Sequence, residues 1–147
     1  MLRVILIDDE QSVLVGLRCL LDWNAYGFEL CGAFQNPQQA LDSVRALRPD
    51  LVITDIEMPE ISGLDLIAAL RELSPDSVCV VLSAYDDFGY AQKAVSLGVF
   101  RYLLKPLSAE SLASLLLDVR QRLAAAAPGA EELSIVRSFV IREILCS

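Results

Sequence analysis

The chain contains no histidine. Any mechanism that needs an imidazole base, a histidine metal ligand or a phosphohistidine must borrow that group from a partner. Basic residues are in the minority: 12 Lys and Arg stand against 20 Asp and Glu, for a net charge of −8. That balance argues against nucleic-acid binding by this segment itself. No uninterrupted apolar run approaches the roughly 18 residues that a membrane-crossing helix requires. Near the N-terminus only Val4 to Ile7 lie between Arg3 and two aspartates, too short for an export signal. The expected compartment is therefore the cytoplasm. Cys19, Cys31, Cys79 and Cys146 are scattered, and no pair has metal or redox spacing. Cys31 and Cys79 lie in apolar runs and are expected to be packed thiols.

With 147 residues, 54% of them hydrophobic, the chain is long enough for one well-filled domain and an appendage. Its centre of gravity is Asp50-Leu-Val-Ile-Thr-Asp-Ile-Glu-Met-Pro59. Leu51 to Thr54 are apolar or β-branched, as a strand buried on both faces would be, and the run delivers one acid, Asp55, to its end. Three other runs end in polar groups. Val4-Ile-Leu-Ile leads to Asp8-Asp9, Val78-Cys-Val-Val-Leu leads to Ser83, and Val99-Phe-Arg-Tyr-Leu-Leu leads to Lys105-Pro106. In a parallel sheet the C-terminal ends of strands share one edge, where such sheets keep their ligand sites. The expected result is a pocket of three carboxylates, one hydroxyl and one ammonium.

Strand and helix patterns alternate five times. Apolar stripes at helical spacing are Val13, Leu14, Leu17, Leu20 and Leu21; then Ala40, Leu41, Val44 and Leu47; then Leu64, Ile67, Leu70 and Leu73. Asn36-Pro37 reads as an N-cap followed by a first-turn proline. The fourth stripe, Phe88, Ala91, Ala94 and Val95, is thin, so that helix is expected to be the most loosely packed. It is expected to start at an Asp86 cap and end at Gly98. The fifth runs from Ser108 through Leu112, Leu115, Leu116, Val119 and Leu123. Strands one, three and four are apolar throughout and belong in the middle, whereas Glu29 and Arg101 mark strands two and five as edges. A doubly wound α/β sheet of order 2-1-3-4-5 fits. The expected layout is a domain over 1–123, a linker over 124–130 and a helix over 131–147. That helix is too apolar to stay bare, and it is expected to connect to a further region.

Asp8-Asp9, Asp55 with Met58-Pro59 and Gly63, Ser83-Ala84, Tyr102 and Lys105-Pro106 resemble the receiver domain of two-component response regulators. The likeness covers roughly residues 1–123. The stretch from Ser83 to Ala94, with Leu103-Leu-Lys-Pro-Leu107, is similar more narrowly to receivers that precede an AraC-type helix-turn-helix output. The resemblance implies a flavodoxin-like fold with Asp55 as phosphoryl acceptor from a sensor histidine kinase. It implies Mg²⁺ on Asp9, Asp55 and the Glu57 carbonyl, with Asp8 acting through water. It also implies Ser83 and Lys105 as phosphoryl-binding groups, and a cis bond before Pro106. Ser83, Ala84 and Tyr102 would form the switch, acting on a homodimer face of helix 4, strand 5 and helix 5. Glu57 and Tyr85 flank the path of attacking water and would tune phosphoryl lifetime. DNA contact would come from an output region outside this segment. Two alternatives stand beside this reading. A haloacid-dehalogenase-type phosphohydrolase also uses a strand-end Asp, but wants a second Asp where this chain has Glu57. The other is an interaction module indifferent to phosphorylation.

Overall fold

The computed structural model describes residues 1–58, 61–84 and 88–125, apart from the Phe88 side chain. The elements are β1 (Leu2–Ile7), α1 (Gln11–Leu20), β2 (Phe28–Phe34), α2 (Pro37–Leu47), β3 (Leu51–Asp55), α3 (Gly63–Leu73), β4 (Val78–Ser83), α4 (Phe88–Ser96), β5 (Arg101–Leu104) and α5 (Ala109–Ala125). All strand pairs are parallel, and the sheet order is β2-β1-β3-β4-β5. The central strand β3 is buried at every position, Asp55 included. Truncating one of its large side chains, such as Ile53, would cost about 2–5 kcal/mol.

The order reverses direction once. β1 connects to β2 on one side, while β2, β3 and β4 connect onward to the other. Right-handed crossovers then place α1 on one face and α2, α3 and α4 on the opposite face. Side chains follow the period of two: Ile5, Ile7, Val52, Cys79 and Val81 point into one apolar cluster with Ala40, Val44, Leu66, Ile67, Leu70 and Ala94. Their neighbours Val4, Leu6, Leu51, Ile53, Val80 and Leu82 are buried on the other face.

Local chemistry accounts for the helix ends. The Asn36 side chain accepts from the Gln38 and Gln39 amides, and Pro37 opens α2. The Ser62 hydroxyl accepts from the Asp65 amide at the start of α3. The turn-rich stretch after α1 forms a short 3-10 helix, Trp23–Tyr26, closed by Gly27 at φ 85°. Trp23 is buried there, and its indole N–H donates to the Leu17 carbonyl at 3.0 Å, satisfying one orphan acceptor at the end of α1.

Four details depart from the sequence expectations. Leu66, outside the expected α3 stripe, is fully buried, because α3 packs on α2 as well as lying over the sheet. Val95 is 71% exposed: it lies about 100° around the helix from the buried Ala94, which turns it out of the core. Cys79 is buried, but Cys31 is only partly so; it sits at a bulge in β2, where Val4 pairs with Leu30 and Ile5 with Gly32. Finally, α5 runs through Ala124 and Ala125, the start of the expected linker, as suits the residue with the highest helix propensity.

The chain divides within α5 into two units, 1–113 and 114–147. In the second, residues 114–125 are helical and Leu115, Leu116 and Val119 are buried. The rest of the expected linker and the helix over 131–147 lie outside the described residues, as do Tyr85 and the Asp86 cap. Among the described residues no helix is long and apolar enough to cross a membrane.

Candidate functional site

β1 and β3 are adjacent, with Ile7 opposite Thr54, so the residues that follow each of them meet at the C-terminal edge. There one carboxylate oxygen from each of Asp8, Asp9 and Asp55 lies within 4.8 Å of the others. Asp8 and Asp55 are buried, and Asp9 is at the rim. β5 brings Lys105 to the same edge. Its Nζ donates to Asp8 Oδ2 at 2.8 Å and lies 3.4 Å from Asp55 Oδ2. The Lys105–Pro106 peptide bond is cis. The Lys105 amide also donates to the Ser83 carbonyl at 2.7 Å, which ties the ends of β4 and β5 together.

The two oxygens of Asp55 differ. Oδ1 accepts from the Ile56 amide at 2.7 Å and, more weakly, from the Glu57 amide at 3.4 Å. Oδ2 faces Lys105. Burial pushes the Asp55 carboxyl above the usual range, and the Asp8 charge adds to that; Lys105 and the two amides pull the other way. For Lys105, burial alone would lower its pKa, but the hydrogen bond and charge of Asp8, with Asp55 behind, outweigh it and raise the value. The arrangement is a set of like charges held together by one internal cation.

Around this centre, Ser83 is fully buried at the end of β4, and Ala84 beyond it is exposed. Tyr102 stands opposite Val81 and is partly buried against the apolar cluster under α4. Glu57 is exposed, and its backbone is the part that reaches Asp55. Three supporting contacts were not foreseen. Asp8 Oδ1 accepts from the Glu10 amide at 2.9 Å, and the Gln35 side chain donates to the Asp9 carbonyl at 3.2 Å. Thr54, wholly buried, donates to the Asp55 carbonyl at 3.0 Å. Main-chain partners carry no residue-type signal, which is why the sequence does not reveal them.

The donor set suits a hard cation. It offers carboxylate oxygens, with no imidazole anywhere in the chain, and a cluster tight enough for one small ion. Soft-metal chemistry would need thiolate or imidazole ligands that are not here.

Comparison with known proteins agrees with this geometry. Residues 4–117 match the family model "Response regulator receiver domain". The transcriptional regulatory protein YesN of Bacillus subtilis is 36% identical over 119 residues, which is 81% of this chain and 32% of that protein. HptR of Staphylococcus aureus, also named a transcriptional regulatory protein, is 36% identical over 107 residues, 73% of this chain and 42% of its own. The chain thus spans about a third to a half of the length of these relatives. Among solved structures, the receiver domain of AraT, a response regulator from Geobacillus stearothermophilus, superposes with a TM-score of 0.80 at 33% identity, covering 85% of this chain and 97% of that one. A receiver domain from Clostridium thermocellum gives 0.77 at 27%, covering 86% and 100%. The chain belongs to the receiver domains of two-component response regulators.

Proposed function

We propose that Asp55 accepts a phosphoryl group from a sensor histidine kinase in a Mg²⁺-dependent reaction, and that the modified domain controls transcription through a further output region of the AraC type. The observation that carries the reading is the placement of Asp55 at a buried strand end within 4.8 Å of two more carboxylates, with Lys105 alongside. An oxygen of Asp55 would form the new bond to phosphorus as the bond from phosphorus to the kinase imidazole nitrogen breaks. Because this chain has no histidine, the donor imidazole belongs to the partner. Asp9, Asp55 and the Glu57 carbonyl would hold Mg²⁺, with Asp8 behind them. The bound ion would neutralise charge on the transferring phosphoryl oxygens. Lys105 would exchange its carboxylate contacts for a phosphoryl oxygen, and Ser83 would donate a hydrogen bond to another. Movement of Ser83 would draw in Ala84 and open space for Tyr102, altering the surface of α4 and β5, where a second copy would bind. Glu57 and Tyr85 would set how long the phosphoryl group lasts. The cytoplasm, where kinase and DNA are both available, is the fitting compartment.

Intact mass after treatment with acetyl phosphate and Mg²⁺ should show one added phosphoryl group on the wild type and none on Asp55→Asn. An equal gain on Asp55→Asn would overturn the assignment. In the same assay, decay should change in Glu57→Ala or Tyr85→Ala; identical half-lives would remove those two from the reading. Repeated turnover of a phosphate ester would favour the phosphohydrolase alternative.

A further inference from the structure

The β3–α3 connection returns to its own starting point. It leaves β3 at Asp55, and eight residues later the first residue of α3, Gly63, donates its amide to the Ile56 carbonyl at 2.8 Å. The approach is so close that a methyl group on Gly63 would collide with backbone alone. It would press on the Asp55 carbonyl oxygen, lie 2.6 Å from the Ile56 Cα and lie 3.0 Å from the Asp55 carbonyl carbon. No side chain could rotate away to relieve such a contact. Gly63 is buried, and the Asp55 carbonyl is held on another side by the Thr54 hydroxyl. Nothing about φ explains this glycine, because its left-handed counterparts are Gly27 and Gly98. What it provides is closeness.

We propose that Gly63 is a positioning residue for the phosphoacceptor: the bare face of its backbone seats the start of α3 against the Asp55–Ile56 peptide and thereby sets the height of the Asp55 carboxylate and of the Glu57 backbone. The inference rests on the reading of Asp55 as acceptor. Its logic is that Oδ1 of Asp55 is oriented by the amides of Ile56 and Glu57, and the α3 terminus braces the Asp55–Ile56 peptide that carries the first of these and leads into the second. A Cβ at position 63 must push either that peptide or the helix outward by a sizeable fraction of an ångström. Misplacement of about 1 Å can cost on the order of 100-fold in a positioned reaction. The helix start itself is held separately, by Ser62, whose hydroxyl accepts from the Asp65 amide at 3.2 Å. Loss of the Ser62 cap and loss of the Gly63 contact are therefore distinguishable.

The test compares Gly63→Ala with Ser62→Ala at a temperature where both are folded. It reads the Mg²⁺ dissociation constant by calorimetry, the rate of acetyl-phosphate labelling at saturating Mg²⁺ by intact mass, and the metal-free amide resonances of Ile56 and Glu57. Both variants should lose thermal stability. Gly63→Ala alone should weaken Mg²⁺ binding, slow labelling by about tenfold or more and shift the two resonances. If the Gly63→Ala protein does not fold, replacing the Gly63 amide by an ester deletes the bond to the Ile56 carbonyl without adding an atom. Slower labelling in that variant supports the proposal, and an unchanged rate overturns it. Wild-type affinity and rate in Gly63→Ala, or an equal loss in Ser62→Ala, also overturns it. Failure of the wild type to be labelled at all would instead overturn the acceptor reading, and this inference with it.

Discussion

The same pocket raises the pKa of both Asp55 and Lys105, one an acid and the other a base, so the two shifts act in different pH windows. The folded-state pKa of Asp55 lies above its unfolded value, so the folded protein holds that proton more tightly. Stability contributed by Asp55 therefore falls as pH rises through the folded pKa, and above that pH the charged, buried carboxylate is a liability. In the absence of metal, Asp55→Asn is expected to be more stable than the wild type at pH 7 by about 1 kcal/mol, within the usual range for single substitutions. The gap should shrink as pH is lowered towards 4, as urea melts across that range would measure. A wild type that is the more stable at pH 7 would contradict the pocket described here. Lys105 is shifted in the same direction but titrates far higher: its raised pKa means stability present at neutral pH and lost only as pH climbs through its folded value. At this scale the sequence was informative about which side chains meet and silent about how they pair. The strand ends placed Asp8, Asp9, Asp55 and Lys105 on one edge. That Lys105 bonds to Asp8 more closely than to Asp55 depends on side-chain geometry no pattern encodes.

Among the elements, α3 and α4 stand at opposite extremes. Gly63, Leu64, Leu66, Ile67 and Leu70 of α3 are all buried; among the described side chains of α4 only Ala94 is. Apolar burial contributes roughly 25 cal/mol per Å², so an alanine anchors a helix weakly beside four large aliphatics. Hydrogen exchange of α4 amides is therefore expected to run at least about tenfold faster than that of α3 amides in the unmodified protein, the mark of a low-energy local opening. Beryllofluoride with Mg²⁺ should change the protection of α4 if the Ser83–Tyr102 switch operates, and Tyr102→Ala should blunt that change. Equal protection of α3 and α4, or no response to beryllofluoride, would argue against α4 as the moving part. The thinness of the α4 stripe was readable from its residue types, as were the edge strands from Glu29 and Arg101. The orientation of Val95 was not, because four apolar positions in a nine-residue helix leave its rotation undecided, and packing makes the choice.

On the scale of the whole molecule the two edges of the sheet have separate tasks. The C-terminal edge gathers Asp8, Asp9, Asp55 and Lys105, whereas the opposite edge is closed by the short helix around Trp23, beside the start of β2. The chain has one tryptophan, and it is there. Six-residue β1 runs from that edge towards Asp8, a separation of about 20 Å at 3.3 Å per residue. This distance has a practical optical meaning. Tryptophan emission should report melting of the sheet and its surroundings, because the indole is buried and its N–H is engaged. It should stay nearly constant while Mg²⁺ is titrated into the acidic cluster. A quench on Mg²⁺ addition comparable to that on unfolding would mean that the sheet transmits strain from one edge to the other. A silent tryptophan would make this protein its own internal reference, with folding and ligand occupancy read through independent channels.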